Sequence, residues 1–174
     1  MRKFVCTAIV MGSVWMAVGA QAQTIGRQGE PEVEIQEFAS PMILEFPFGK
    51  FHKLPLGGGL SIQGVSGFRC EDVSLSHLFV SKIRQSRKTG EVDFKIAGNL
   101  VVRPSYDRLV DLHFELFNGT QRIASTLAKD IDAEEGRTTA IQTKLGVDKA
   151  GFAALVENPE AALLRLTVTV YDNK

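Results

Sequence analysis

The chain has 174 residues, of which 44% are hydrophobic, and its 20 basic and 20 acidic side chains balance to a net charge of zero. This length predicts one domain that can bury a sizeable core. The near-neutral balance gives no electrostatic reason to expect binding to nucleic acid or to an anionic membrane.

The first 22 residues have the features of a cleaved signal peptide. A positive pair at residues 2–3 precedes an uncharged apolar run at residues 4–18, and Ala20-Gln21-Ala22 matches the small-x-small pattern that a signal peptidase reads. The run is shorter than the roughly 20 residues needed to span a bilayer, which favours removal over a membrane anchor. We therefore predict export to the periplasm or the extracellular space. No later stretch predicts a transmembrane segment, and the processed chain would carry 18 basic and 20 acidic residues, a net charge of −2.

The cysteine count excludes an internal disulfide in the exported chain. Cys6 leaves with the signal peptide and Cys70 remains alone. A single exported cysteine is either an unpaired small residue at a loop or strand start, or a thiol that pairs with another chain. The second alternative predicts a possible dimer through Cys70.

Residues 23–56 read as a polar leader followed by a segment rich in aromatics and proline. A short strand is predicted near Val33–Phe38. Proline in the segment 38–56 fits an edge strand or a loop rather than a central strand. The alternative is an arm that adds to the sheet edge of a partner protein. The candidate partner-binding residues of this arm are Phe46, Phe48 and Phe51.

Residues 57–174 are predicted to form the β-sandwich domain. Short strands with glycine breaks are expected at 60–68, and a longer strand at 71–84 with a phase slip near His77. Alternation then predicts two strands at 92–103 and 108–117, joined by a corner at 104–107. Pairing them as a hairpin with Val102 opposite Val110 places Phe114 over Gly98.

The remaining elements follow from turn and capping signals. Asn118-Gly119 predicts a tight hairpin turn, with further strands expected at 122–131, 138–145 and 161–171. Asp148 can cap a short helix near residues 148–156. Several short strands with one brief crossover helix predict an all-β fold, an immunoglobulin-like antiparallel β-sandwich.

Three segments resemble those of bacterial secreted immunoglobulin-like or fibronectin type III-like sandwiches. They are Ile96-x-Gly98-x-Leu100, the strand and turn from Val110 to Gly119, and Leu164-x-Leu166-x-Val168-x-Val170. Within residues 91–172 the chain is most similar to FxLYD-type modules, with Phe117-Asn118-Gly119 in place of the usual aromatic-Asp pair and glycine. The resemblance implies a non-catalytic extracytoplasmic module.

One strand carries the best candidates for chemistry. Asp111, His113 and Glu115 share one face of the 108–117 strand, about 6.6 Å apart from neighbour to neighbour. Carboxylates and an imidazole are possible metal ligands or an acid–base pair. The alternative is the polar side of a half-buried strand, since the side chains of a straight strand splay too far apart to share one ion.

No residue pattern predicts a catalytic site or a cofactor. Gly64-Val65-Ser66-Gly67 lacks the spacing of a nucleophile elbow. We therefore expect no enzyme, but an exported β-sandwich module that acts through contacts with an unknown protein partner. The alternative is a periplasmic protein that binds a small ligand or metal on the face of Asp111, His113 and Glu115.

Overall fold

The computed structural model describes residues 7–9, 35–103 and 108–172. The rest of the predicted signal peptide, the leader up to residue 34 and the predicted corner at 104–107 lie outside these residues. The strands are β1 (Thr7–Ile9), β2 (Gln36–Phe38), β3 (Met42–Pro47), β4 (Gly59–Ser61), β5 (Phe68–Cys70), β6 (Val73–Gln85), β7 (Val92–Val102), β8 (Arg108–Asn118), β9 (Gln121–Ala133), β10 (Thr138–Val147) and β11 (Ala162–Asp172). The helices are α1 (Lys149–Glu157) and three 3-10 helices, Gly49–Lys53, Val65–Gly67 and Pro159–Ala161.

The strands form two sheets that pack against each other. Sheet A has the order β1-β3-β11-β8-β9, and sheet B has the order β10-β7-β6-β5-β2, with β4 also paired to β6. The long strands pair antiparallel, whereas β1 with β3 and β2 with β5 are short parallel pairs. This architecture confirms the predicted all-β sandwich with one short helix.

Alternation along the strands builds the core between the sheets. On β8 the buried side chains are Val110, Leu112, Phe114 and Leu116, and the residues between them are partly exposed. This follows from the period of two, which sends successive side chains to opposite faces of a sheet. One face of each long strand therefore contributes to a single core.

The predicted hairpin between β7 and β8 is wrong, because the two strands lie in different sheets. β7 pairs with β6 and β10, and β8 pairs with β9 and β11. Gly98 therefore lies opposite Ile141 of β10 and not opposite Phe114. Leu78 covers the glycine instead, since a Cβ built on Gly98 would lie 2.8 Å from Leu78 Cδ2. The same side chains of β7 and β8 face the core whether the two strands pair with each other or lie in different sheets. Alternation of apolar residues therefore could not distinguish the two arrangements.

Three local predictions are confirmed. The phase slip near His77 is a β-bulge, in which His77 adopts a φ of 57° and the register shifts between Ser76 and Phe79. β8 and β9 form the predicted hairpin, although its two loop residues are Gly119 and Thr120 rather than Asn118 and Gly119; Gly119 has a φ of 60°. The side chain of Asp148 caps α1 by accepting a hydrogen bond from the Gly151 amide at 2.7 Å.

The sandwich begins before residue 57. β2 and β3 belong to the two sheets, and the 3-10 helix Gly49–Lys53 closes the core at the end where α1 lies. Phe48 stacks on Phe51 with ring centroids 4.7 Å apart and meets Phe94 edge-on at 5.3 Å. These ring pairs are the arrangements that aromatic side chains prefer in a core.

Candidate functional site

The predicted polar triad lies on the outer face of β8, as alternation requires. The Asp111 carboxylate accepts a hydrogen bond from the Asp130 amide at 2.8 Å and another from the Tyr171 hydroxyl at 3.3 Å. Asp130 has a φ of 53° beside the register shift between β8 and β9. Partial burial and then the nearby Asp111 carboxylate raise the pKa of Tyr171, because both disfavour the charged phenolate. Asp111 therefore supports a strand irregularity.

The other two members of the triad lie beside an arginine. His113 Nδ1 is 4.0 Å from Glu115 Oε2, and Glu115 Oε1 accepts from Arg122 at 3.0 Å. Across residues 35–103 and 108–172 no group of three or more His, Cys, Asp and Glu side chains is arranged to hold a metal ion. Ligand binding on this face stays a prediction.

The three candidate aromatic residues lie in the core. The exposed fractions are 2% for Phe46, 0% for Phe48 and 1% for Phe51. This corrects the exposed arm considered from the sequence. Phe46 faces inward from β3, while the three-residue period of the 3-10 helix brings Phe48 and Phe51 to the same side. The aromatic segment contributes packing, and any partner contact here must use the outer edge of β3.

Cys70 is a buried thiol. Its side chain is fully enclosed, and Sγ lies 3.8 Å from the Val168 carbonyl oxygen. Burial raises the pKa of this thiol to about 11, so the thiolate that would attack a disulfide is scarce at neutral pH. Both observations argue against the predicted dimer through Cys70.

The outer edge of β3 is the most distinctive surface of sheet A. β11 pairs with one side of β3, and residues 7–9 pair with the other in a parallel register that matches Thr7 with Ile43 and Ile9 with Glu45. Pro47 ends the strand, and Pro41 precedes it after a cis peptide bond. Because proline has no amide hydrogen, the edge is limited to the residues between the two prolines.

An ion pair holds the outer face of sheet A beside this edge. Arg165 donates to Glu45 Oε1 from Nε at 2.9 Å and from Nη2 at 2.7 Å. The guanidinium also lies over the Phe117 ring, 4.6 Å from its centroid. Since both contacts fix Arg165, β3 is joined to the centre of the sheet by side chains as well as by backbone pairing.

A cleft of about 280 Å³ lies where β3 ends. Its lining residues are Pro47, Gly49, Lys50, His52, Lys53, Pro159 and Glu160. Gly49 permits the 3-10 helices Gly49–Lys53 and Pro159–Ala161 to approach each other, because a Cβ on residue 49 would clash with the Pro159 carbonyl oxygen. His52 Nδ1 donates to the Gly49 carbonyl, which leaves Nε2 as the other ring nitrogen for outside contacts. The charged side chains of the lining are Lys50, Lys53 and Glu160.

Lys82 lies behind this helix and was missed by the sequence analysis. It shares the inward face of β6 with Val80 and is only 6% exposed. Its ammonium donates to the His52 carbonyl oxygen at 3.4 Å and lies 5.1 Å from the Phe152 ring centroid. Burial lowers the pKa of Lys82. After the bulge at His77, Lys82 lies an even number of residues from Leu78 and Val80. Alternation therefore predicts that all three side chains share one inward face.

No helix within the described ranges is long and apolar enough to cross a membrane. Comparison with known proteins identifies no family that matches the chain, and no curated protein matches it either.

Proposed function

We propose that this chain is an exported, non-catalytic β-sandwich module that binds a partner protein by strand addition to the outer edge of β3. The observation that carries the proposal is the parallel pairing of residues 7–9 with Ile43, Leu44 and Glu45. Those three residues belong to the predicted signal peptide, so cleavage after Ala22 would remove them. The edge would then present unpaired amide and carbonyl groups to a partner strand.

The buried side chains that the structure describes lie well after the predicted cleavage site. Among the described residues, every buried side chain of the core lies between Met42 and Val170. Cleavage after Ala22 would therefore remove the backbone pairing of residues 7–9 and none of these buried side chains. The processed chain, residues 23–174, is expected to fold with that edge available.

The short length of the edge sets how a partner binds. Only residues 42–46 lie between the prolines, so a partner strand gains a few backbone hydrogen bonds, each worth about 1 kcal/mol net. Side chains on both faces of the added strand must supply the rest. Ile43 on the outer face and the buried Leu44 beside the core offer apolar neighbours to such a strand. The resemblance to FxLYD-type modules supports the same non-catalytic role.

Export and edge binding are tested separately. Sequencing the amino terminus of protein secreted by a bacterial host is expected to give Gln23 as the first residue. Edge binding is tested with a peptide of residues 4–11 that carries serine in place of Cys6 and a soluble fluorescent tag at its amino end. Added to the processed chain, it is expected to slow hydrogen exchange of the β3 amides.

The control is the same peptide N-methylated at alternate residues, which keeps its side chains but cannot pair along one side. Protection of β3 by the unmodified peptide alone supports strand addition. Equal protection by both peptides, or by neither, contradicts it. The unprocessed chain is expected to bind the peptide more weakly, because its own residues 7–9 compete for the same edge.

A further inference from the structure

The outer edge of β3 has a direction that the partner strand must follow. The pairing with residues 7–9 is parallel, so the register continues from Ile9 opposite Glu45 towards Pro47. In a parallel pair both strands run the same way. The carboxyl end of an added strand therefore lies beside Pro47, which also lines the cleft. The edge and the cleft therefore share Pro47, and the residues that follow it, Gly49 to Lys53, form one wall of the cleft.

The cleft has the charge that a carboxylate needs. Lys50 and Lys53 line it and are exposed, and His52 lies between them with one ring nitrogen committed to the Gly49 carbonyl. Glu160 is the acidic residue among the lining side chains. Two ammonium groups near one carboxylate leave a net positive site for an incoming anion.

An acidic side chain lies near the start of β3. β3 begins two residues after Ser40, whose amide donates to the Glu71 carboxylate at 3.4 Å. A positive amino end of an added strand is favoured near Glu71, and a negative carboxyl end near Lys50 and Lys53. The parallel pairing sets the direction of an added strand, and the positions of Glu71, Lys50 and Lys53 agree with it.

We infer that the β3 edge and the cleft together bind the carboxyl-terminal segment of a partner protein, with its terminal carboxylate held by Lys50 and Lys53. The inference rests on the strand addition proposed above, and it specifies the partner's chemistry. The segment is extended and runs parallel to β3. It ends within one or two residues of Pro47 and carries a free main-chain carboxylate.

The test measures fluorescence anisotropy of the 4–11 peptide on the processed chain in three forms. These are a free carboxyl end, an amidated end, and an amidated end with one added glutamate. The free carboxylate is expected to bind about fivefold more tightly than the amide, the upper range for an exposed charge contact. Equal binding of the first two overturns the inference. Full recovery by the added glutamate also overturns it, because an acidic side chain would then suffice.

Matched variants of the chain locate the charge. K50Q and K53Q are each expected to weaken binding of the free-carboxylate peptide about twofold and to leave the amidated peptide unchanged. K129Q on β9, at the other edge of sheet A, removes an equal charge and is expected to change neither. Basic side chains also favour the carboxyl end of a helix. If K50Q and K53Q lower Tm without changing peptide affinity, the two lysines stabilise the end of the 3-10 helix and do not bind a carboxylate. The inference is then wrong.

Failure of the inference differs from failure of strand addition. If the amidated and free peptides bind equally and both protect β3 from exchange, the edge binds strands but the cleft does not read the carboxylate. If neither peptide binds, the proposed function itself is wrong.

Discussion

Replacing Lys82 with methionine is expected to stabilise the protein. Lys82 faces inward from β6 with 6% of its surface exposed, and its ammonium contacts the His52 carbonyl oxygen and the Phe152 ring. Among the described residues no carboxylate forms an ion pair with it. Methionine has a similar length and flexibility, so K82M keeps the packing of the stem and removes the charge.

The magnitude follows from opposing contributions. A charged hydrogen bond contributes about 1.5 kcal/mol and a cation–π contact about 1 kcal/mol. The His52 contact is long at 3.4 Å, so its contribution lies at or below that figure. Burying an ammonium costs several kcal/mol after relaxation. We therefore expect K82M to raise the free energy of unfolding by about 1–2 kcal/mol, which corresponds to about 3–6 °C in Tm.

The assay is urea unfolding of the native chain and of K82M at pH 7 and pH 10. Burial lowers the pKa of Lys82 below its usual 10.5, so the unfolded chain holds the proton more tightly than the folded chain. The stability of the native chain therefore rises with pH between the lowered pKa and 10.5. The advantage of K82M is expected to be largest at pH 7 and smaller at pH 10.

Two results would refute this reasoning. If K82M is less stable than the native chain at pH 7, the contacts of the ammonium outweigh its desolvation. If the difference between the two chains is the same at both pH values, the folded and unfolded pKa of Lys82 are equal and the charge is not the cause. K82A is the control for lost packing, and its cavity is expected to offset any gain.

Two further predictions concern the thiol and the helix cap. Cys70 is the remaining cysteine of the chain processed after Ala22. Because its thiol is buried and has a pKa of about 11, we expect a thiol reagent at pH 8 to react with it only as fast as the protein unfolds. Labelling within seconds under native conditions would contradict the burial. D148A removes the 2.7 Å bond to the Gly151 amide and is expected to cost about 1 kcal/mol in urea unfolding, whereas D148N is expected to retain most of the stability. Equal stability of D148A, D148N and the native chain would mean that the cap contributes nothing.

Signals that act over a few residues predicted the local structure well. Glycine after Asn118 indicated the β8–β9 turn, and Asp148 indicated the start of α1. The bulge at His77 was visible as a break in alternation. In each case the cause lies within about four residues of the signal, so one sequence contains the information needed.

Strand pairing could not be predicted in the same way. The inward side chains of β7 and β8 are the same whether the strands pair with each other or face each other across the core. The structure places them in different sheets, and the partner of Gly98 comes from β10, more than 40 residues later. Such a choice depends on the fit of the whole core rather than on any local pattern.

The cleft at the end of β3 could not be predicted from the sequence either. Lys50 and Glu160 line one cleft although about 110 residues separate them. Because prolines flank Phe48 and Phe51, the sequence predicted that they lie in an exposed arm that can bind a partner. In the structure they close the end of the core instead. The net charge of zero concealed the basic cleft because acidic residues elsewhere balance it.

The position of β11 in sheet A has a consequence for the order of folding. This last strand of the described chain lies between β3 and β8, so it joins residues 42–47 to residues 163–168 across most of the length of the chain. Sheet A therefore cannot assemble before residues 162–172 have been synthesised, and contacts of such long range make folding slow. A chain that is slow to fold remains extended while it is exported, which is the route we propose for this protein. Loss of the last dozen residues would leave β3 without its neighbour and the core open to water.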